Sequence, residues 1–146
     1  TKLICELFCG SGTITLPLLK KPYQIHAFEL DIESLKSLDI AARKENFGNR
    51  VVTKVRDLKN FPLTSDELSK YDAIIVDPPR SGAKLQFLNI ARSNVSIIIS
   101  ISCNINTFVR DAKILIESNY ELKWVQPIDQ FLFSAHVELV AMFQLK

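Results

Sequence analysis

Five short apolar runs, each ending on small or polar residues, constrain the fold of this chain most. They are Leu3–Phe8, Gln24–Glu29, Val51–Val55, Tyr71–Val76 and Val95–Ile101. Each is too short for a buried helix, and most are rich in β-branched or aromatic residues, so each predicts a buried strand. Segments of helical spacing lie between them. Thr13–Lys20 carries Ile14, Leu16, Leu18 and Leu19, with Pro17 tolerable only in a first turn. Leu35, Leu38 and Ala42 mark one face of a second helix, with Asp31 as its N-cap and Gly48 as its stop. Thr64 or Ser65 caps a short helix in the polar stretch 58–70. Leu85, Leu88 and Ala91 align over Ala83–Arg92, and Phe108, Ala112, Leu115 and Ile116 over a last helix closed by Asn119. Strands alternating with helices predict a mostly parallel sheet with helices on both faces. The rhythm changes at Tyr120. Tyr120, Leu122 and Trp124 alternate with charged residues, and Val137, Leu139, Ala141, Phe143 and Leu145 alternate likewise. Two strands joined without a helix pair antiparallel.

A chain of 146 residues is enough for one domain with a sizeable core. No apolar run approaches the roughly 20 residues that span a bilayer, so no membrane partner is expected. Thr1 in place of a starting Met suggests a piece of a longer protein. The net charge of +2 neither requires nor excludes RNA. Lys20-Lys21 and Arg80 with Lys84 read as solvated surface rather than a nucleic-acid patch. The 3 cysteines, Cys5, Cys9 and Cys103, are odd in number and lack framework spacing. That points to a reducing, cytoplasmic setting, and with His26 and His136 they supply no metal site.

In open α/β sheets, ligands bind outside the carboxyl ends of the strands. The residues at those ends are therefore the candidates. Gly10-Ser11-Gly12-Thr13-Ile14-Thr15 meets part of the dinucleotide fingerprint, with Thr15 where the third glycine belongs. Gly10 and Gly12 let backbone approach a ligand. The missing third glycine weakens an NAD-type oxidoreductase reading and suits a nucleoside cofactor without a diphosphate. Glu29 ends the second strand and can accept both ribose hydroxyls, since Asp31 already serves the helix dipole. Asp57 can reach an adenine amino group. Cys103 ends the fifth strand, and alone it reads as one more small buried apolar residue.

Four motifs occur together: Leu7-Phe8-Cys9-Gly10-Ser11-Gly12, Val76-Asp77-Pro78-Pro79-Arg80, Ile101-Ser102-Cys103-Asn104, and Asp129-Gln130-Phe131 followed by His136-Val137-Glu138. In this order, over essentially the whole chain, they resemble the catalytic domain of the RNA uracil-5 methyltransferases, which make 5-methyluridine in tRNA and rRNA. The resemblance implies a Rossmann-like class I methyltransferase: a seven-stranded, mostly parallel sheet with an antiparallel last strand. It also implies S-adenosyl-L-methionine as methyl donor, structured RNA as partner, and a catalytic domain forming the C-terminal part of a longer protein. By resemblance, Phe8, Thr13, Glu29, Asp57 and Asp77 fall on cofactor-binding positions. Cys103 falls on the nucleophile and Glu138 on the base that removes the C5 proton.

That chemistry needs these residue types. Uracil C5 is a poor nucleophile until a thiolate adds at C6. The thiolate is favoured by the N-terminus of the following helix. A carboxylate must then accept the C5 proton. Arg80 suits phosphate or carbonyl contacts, whereas amino-methyltransferases carry an aromatic residue there and cytosine-5 enzymes a cysteine in this motif. Asn104 is a second candidate substrate contact. A target base in folded RNA has to swing out to reach Cys103. Two positions depart from the family pattern: Ile105 and Leu132 stand where proline is usual. They feed a rival reading, a truncated or decayed cofactor-binding domain.

Overall fold

The computed structural model describes residues 1–129 and 137–146. Its strands are β1 (Lys2–Leu7), β2 (Tyr23–Glu29), β3 (Val51–Val55), β4 (Ala73–Val76), β5 (Ile97–Ser102), β6 (Tyr120–Asp129) and β7 (Val137–Leu145). They form one sheet in the order β3-β2-β1-β4-β5-β7-β6. Strands β1 to β5 pair parallel with one another, and β7 is antiparallel to both of its neighbours. The expected mixed sheet is therefore present. The chain winds outward from β1 to β3, then returns to the other side of β1 with β4. That reversal opens a crevice at the carboxyl ends of β1 and β4.

Side chains alternate across the strands, so each strand feeds two cores. On one face Cys5, Leu7, Ile74, Val76 and Ile98 pack with Phe87 and Ile90 of α4 (Lys84–Ala91) and Phe108 and Leu115 of α5 (Ile105–Ile116). Leu68 of α3 (Ser65–Leu68) joins the same cluster. On the other face Ile4, Ile25, Ala27 and Ile75 pack with Leu35, Leu38 and Ala42 of α2 (Ile32–Lys44). The short α1 (Thr15–Leu18) lies beside them. Among the described residues no helix is long and apolar enough to cross a membrane.

Several local expectations change. Helix α2 stops at Lys44, before Gly48. Asn46 takes the left-handed position at φ 63°, Phe47 N–H reaches Ala42 O at 2.8 Å and Asn46 N–H reaches Arg43 O at 3.1 Å. This pair of bonds closes a helix without glycine, because asparagine tolerates that conformation. Asp31 does cap α2, accepting from Glu33 N–H. Thr64, rather than Ser65, caps α3 in a reciprocal box with Glu67. Helix α4 turns Gln86, Phe87 and Ile90 inward, leaving Leu85 55% exposed. Phe87 wins the core because it is the larger apolar group, and Gln86 follows because its amide bonds Leu63 N–H at 2.9 Å and Leu63 O at 3.0 Å. Helix α5 ends at Ile116, which is exposed; Asp111 takes an inward place instead.

Candidate active site

The turn after β1 is built on backbone conformation. Phe8 has φ 64°, a left-handed value uncommon for an aromatic residue. Beyond it, Cys9 N–H donates to Phe28 O at 3.1 Å and Gly10 N–H to Glu29 Oε1 at 3.1 Å. Glu29 Oε2 accepts Asp31 N–H at 2.8 Å, so two backbone donors from different segments fix this carboxylate. Of the two glycines, Gly10 has open space where a Cβ would stand. A Cβ on Gly12 would strike the Leu38 side chain, so packing on α2 demands that glycine. Thr13 is exposed in the same turn.

A recess of about 380 Å³ lies at the crevice, lined by Phe8, Glu29, Asp57, Leu58, Asp77 and Pro78 among others. Four of the residues proposed from sequence thus meet in one place, while Gly10, Gly12 and Thr13 do not line it. Asp57 accepts from Asn60 N–H at 3.2 Å and Asn60 Nδ2 at 2.8 Å. The Asn60 side-chain bond holds the Asp57 carboxyl below its ordinary value. Asp77 follows β4 directly, and its N–H donates to Leu7 O at 3.2 Å. Burial, reinforced by the charge of Glu138, pushes Asp77 up to about 6. A further acid, Glu6, sits behind this rim at 1% exposure and accepts a hydrogen bond from Thr15 Oγ1. Burial pushes Glu6 up to about 7, against the pull of that bond; Asp77 adds to the rise. Its signal in the sequence was a lone carboxylate inside the buried run Ile4-Cys5-Glu6-Leu7.

The turn after β5 is built on side chains. Ser102 Oγ accepts Asn104 N–H at 3.2 Å and donates to Asn104 O at 3.0 Å. Between them Cys103 is exposed, unlike Cys5 and Cys9. Burial pushes the Cys9 thiol up to about 12. Asn104 caps α5 by accepting Asn106 N–H at 3.0 Å, and its Nδ2 donates to Arg80 O at 3.1 Å. Ile105, in the usual proline's place, is 64% exposed and starts the helix without displacing these bonds. Ser102 pairs with Leu139 across β5 and β7, and Cys103 and Glu138 each lie one residue beyond that pair. Leu139 packs on the α4–α5 face, so Glu138 alternates to the opposite face, toward Asp77. Arg80 is exposed. Gln130, Phe131, Leu132 and His136 lie outside the described residues. Among the described residues no group of three His, Cys, Asp or Glu is placed to hold a metal.

A doubly wound sheet in this strand order, with a carboxylate at or just beyond the ends of β2, β3 and β4 around one recess, is the framework of the class I methyltransferases. The family model for tRNA (uracil-5-)-methyltransferases matches residues 1–145, and the chain belongs to that family. An RNA methyltransferase of Agrobacterium fabrum, itself uncharacterized, is 46% identical over 99% of this chain and 34% of its own length. One from Mesorhizobium japonicum is 45% identical over 97% and 34%. The chain thus spans about a third of the curated relatives it matches. Among solved structures, the Pyrococcus abyssi tRNA (uracil-54, C5)-methyltransferase in complex with S-adenosyl-L-homocysteine superposes with a TM-score of 0.84 at 26% identity, over 98% of this chain and 34% of that one. The fold extends well past this chemistry. The [4+2]-cyclase SpnF superposes at a TM-score of 0.75 with 10% identity, over 99% of this chain and 75% of the cyclase.

Proposed function

We propose that the protein containing this domain methylates C5 of a uridine in structured tRNA or rRNA, using S-adenosylmethionine and a transient bond between Cys103 and C6. The observation that carries the reading is the pairing at the rim: an exposed thiol and a carboxylate one residue beyond a shared strand pair, beside the crevice recess. The donor set suits a nucleoside cofactor. Glu29 is held by two backbone N–H groups with lone pairs left to accept ribose hydroxyls, and Asp57 stands at the mouth to accept an amino group. Phe8 and Leu58 give the recess apolar walls. When bound, the cofactor supplies an electrophilic methyl group on a sulfonium.

The chain's residues do the rest. The Cys103 thiolate adds to C6 of the uracil, and the displaced π electrons make C5 nucleophilic. After C5 has gained its methyl group, Glu138 takes the C5 proton; the C5–H electrons re-form the ring double bond and expel the Cys103 thiolate. Asp77 lines the recess, and burial together with the charge of Glu138 holds its carboxyl above the ordinary range. In this reading Arg80 and Asn104, joined through the Arg80 carbonyl, contact the RNA.

The test uses the full-length protein and RNA lacking the modification. Glu138→Gln should accumulate an RNA adduct stable on denaturing gels, and Cys103→Ala should form none and methylate nothing. Full-rate methylation by Cys103→Ala sinks the nucleophile assignment. A full-length protein inactive on every RNA tried, though it binds S-adenosylmethionine, would instead support the decayed-domain reading.

A further inference from the structure

The loop after β4, residues 77–83, lies flat against one stripe of α5. Asn104 Nδ2 donates to Arg80 O at 3.1 Å and Thr107 Oγ1 to the same carbonyl at 3.3 Å. Arg110 Nη2 donates to Ser81 O at 3.3 Å, and Asp111 Oδ2 accepts Ala83 N–H at 3.1 Å. Asn104, Thr107 and Asp111 recur at the spacing that aligns side chains along a helix. Gly82 shows how close the two surfaces are. At φ 77°, a Cβ there would stand 2.5 Å from Arg110 Nη2, 2.8 Å from Asp111 Oδ2 and 3.0 Å from Thr107 Cβ.

Asp111 is unusual for the inward side of a helix. It is 3% exposed, and a buried carboxylate is costly unless its oxygens are bonded. Both are: Oδ2 holds the loop, and Oδ1 accepts Arg110 Nε at 3.0 Å. The carboxylate therefore aims the guanidinium at Ser81 while gripping Ala83. An apolar residue would fill the same space at lower cost and do neither. The helix that carries this clamp is capped by Asn104, the residue after Cys103.

We propose that Asp111 is a positioning residue: with Arg110 and Thr107 it locks residues 80–83 of the loop to α5, so that Arg80 and the Cys103 turn keep one fixed geometry. This rests on the reading of Cys103 as the nucleophile. Its effect belongs to the chemical step. Cofactor contacts proposed at Phe8, Glu29 and Asp57 come from other segments, and Asp77 is held apart from the clamp by its N–H bond to Leu7 O at 3.2 Å.

The experiment takes the full-length protein with tRNA and rRNA transcripts, made with uridine for turnover and with 5-fluorouridine to trap the adduct. Three quantities are read: S-adenosylmethionine affinity by calorimetry, kcat, and the rate of adduct formation. Asp111→Ala and, independently, Gly82→Ala should each slow kcat and adduct formation about 10- to 100-fold, with S-adenosylmethionine affinity within about threefold. Asp111→Asn, which can still accept from Ala83 but not from Arg110, should recover part of the rate. Wild-type adduct formation in either alanine variant overturns the clamp. So does a loss of cofactor affinity parallel to the loss of kcat, which marks a purely structural role. A wild-type protein that methylates uridine without trapping any adduct overturns the nucleophile assignment itself, and the clamp with it.

Discussion

The turns after β1 and β5 occupy the same rim, and each carries a cysteine, yet they are made by different means. The first is held by backbone geometry: Phe8 and Gly10 at positive φ, with N–H groups pointed at Phe28 and Glu29. Its cysteine, Cys9, is buried, with a thiol pushed up to about 12 by burial. The second is held by hydroxyl and amide side chains, Ser102 and Asn104, and its cysteine is exposed. A turn defined by backbone strain tolerates little change of residue type. A turn defined by side-chain bonds tolerates loss of a rigid neighbour, and so Ile105 stands where proline is usual while the Ser102–Asn104 bonds remain in place.

The largest expected effect tests the two cysteines against each other. Cys103→Ala should lower methylation by about a thousandfold or more, and Cys9→Ala should leave most of the rate. Iodoacetamide labelling followed by peptide mass spectrometry should mark Cys103 well before Cys9 or Cys5. Equal labelling of Cys9 would dissolve the contrast between the turns.

The second effect concerns the acids behind the first turn. Glu6 and Asp77 are both raised above their unfolded values, to about 7 and about 6. In that window these two groups hold fewer protons in the unfolded chain than in the folded one, so their contribution to stability is fully present below about pH 4 and falls as pH rises toward 7. For Glu6 the loss by pH 7 is on the order of 3 kcal/mol. Denaturant melts at several pH values should show this slope in the wild type and a flatter one in Glu6→Gln. A slope unchanged by the substitution would separate Glu6 from the effect.

Phe8 gives a smaller and sharper test. Glycine is ordinarily the worse residue beside a strand, but at φ 64° it relieves strain that alanine keeps. Phe8→Gly should therefore be more stable than Phe8→Ala by about 1 kcal/mol in chemical denaturation. The reverse order would mean that the first turn is not held by its backbone. The smallest effect is on the second turn. Ile105→Pro, at the first position of α5, should gain about 0.5 kcal/mol and leave kcat within twofold, since Ser102 already shapes the turn.

The strands were readable because each is a short apolar run, and the switch from parallel to antiparallel showed in the alternation after Tyr120. Helix faces were less readable. In α4 the leucines drew attention, but Phe87 and Ile90 hold the core, and Gln86 is buried because of a partner loop that spacing does not reveal. Gly48 looked like a stop, yet Asn46 closes α2 through backbone bonds. At the site, Phe8, Glu29, Asp57 and Asp77, each singled out at or near a strand end, line one recess, because strand ends are strongly marked in the sequence. Glu6 and Asp111 were passed over. Each is a charge in an apolar context, and what offsets its burial, Thr15 for one and the 77–83 loop for the other, is fixed only when distant segments meet.

Among the described residues β6 pairs as a strand with β7 alone, and β7 lies between β6 and β5. The outer strand thus joins the sheet through the inner one. Because β7 runs against its neighbours, its beginning, with Glu138, is what arrives at the rim beside Cys103. The rim is therefore complete only where β7 pairs with β5: the turn after β5 carries the thiol, and the first residues of the last strand carry the carboxylate that faces the same end of the sheet.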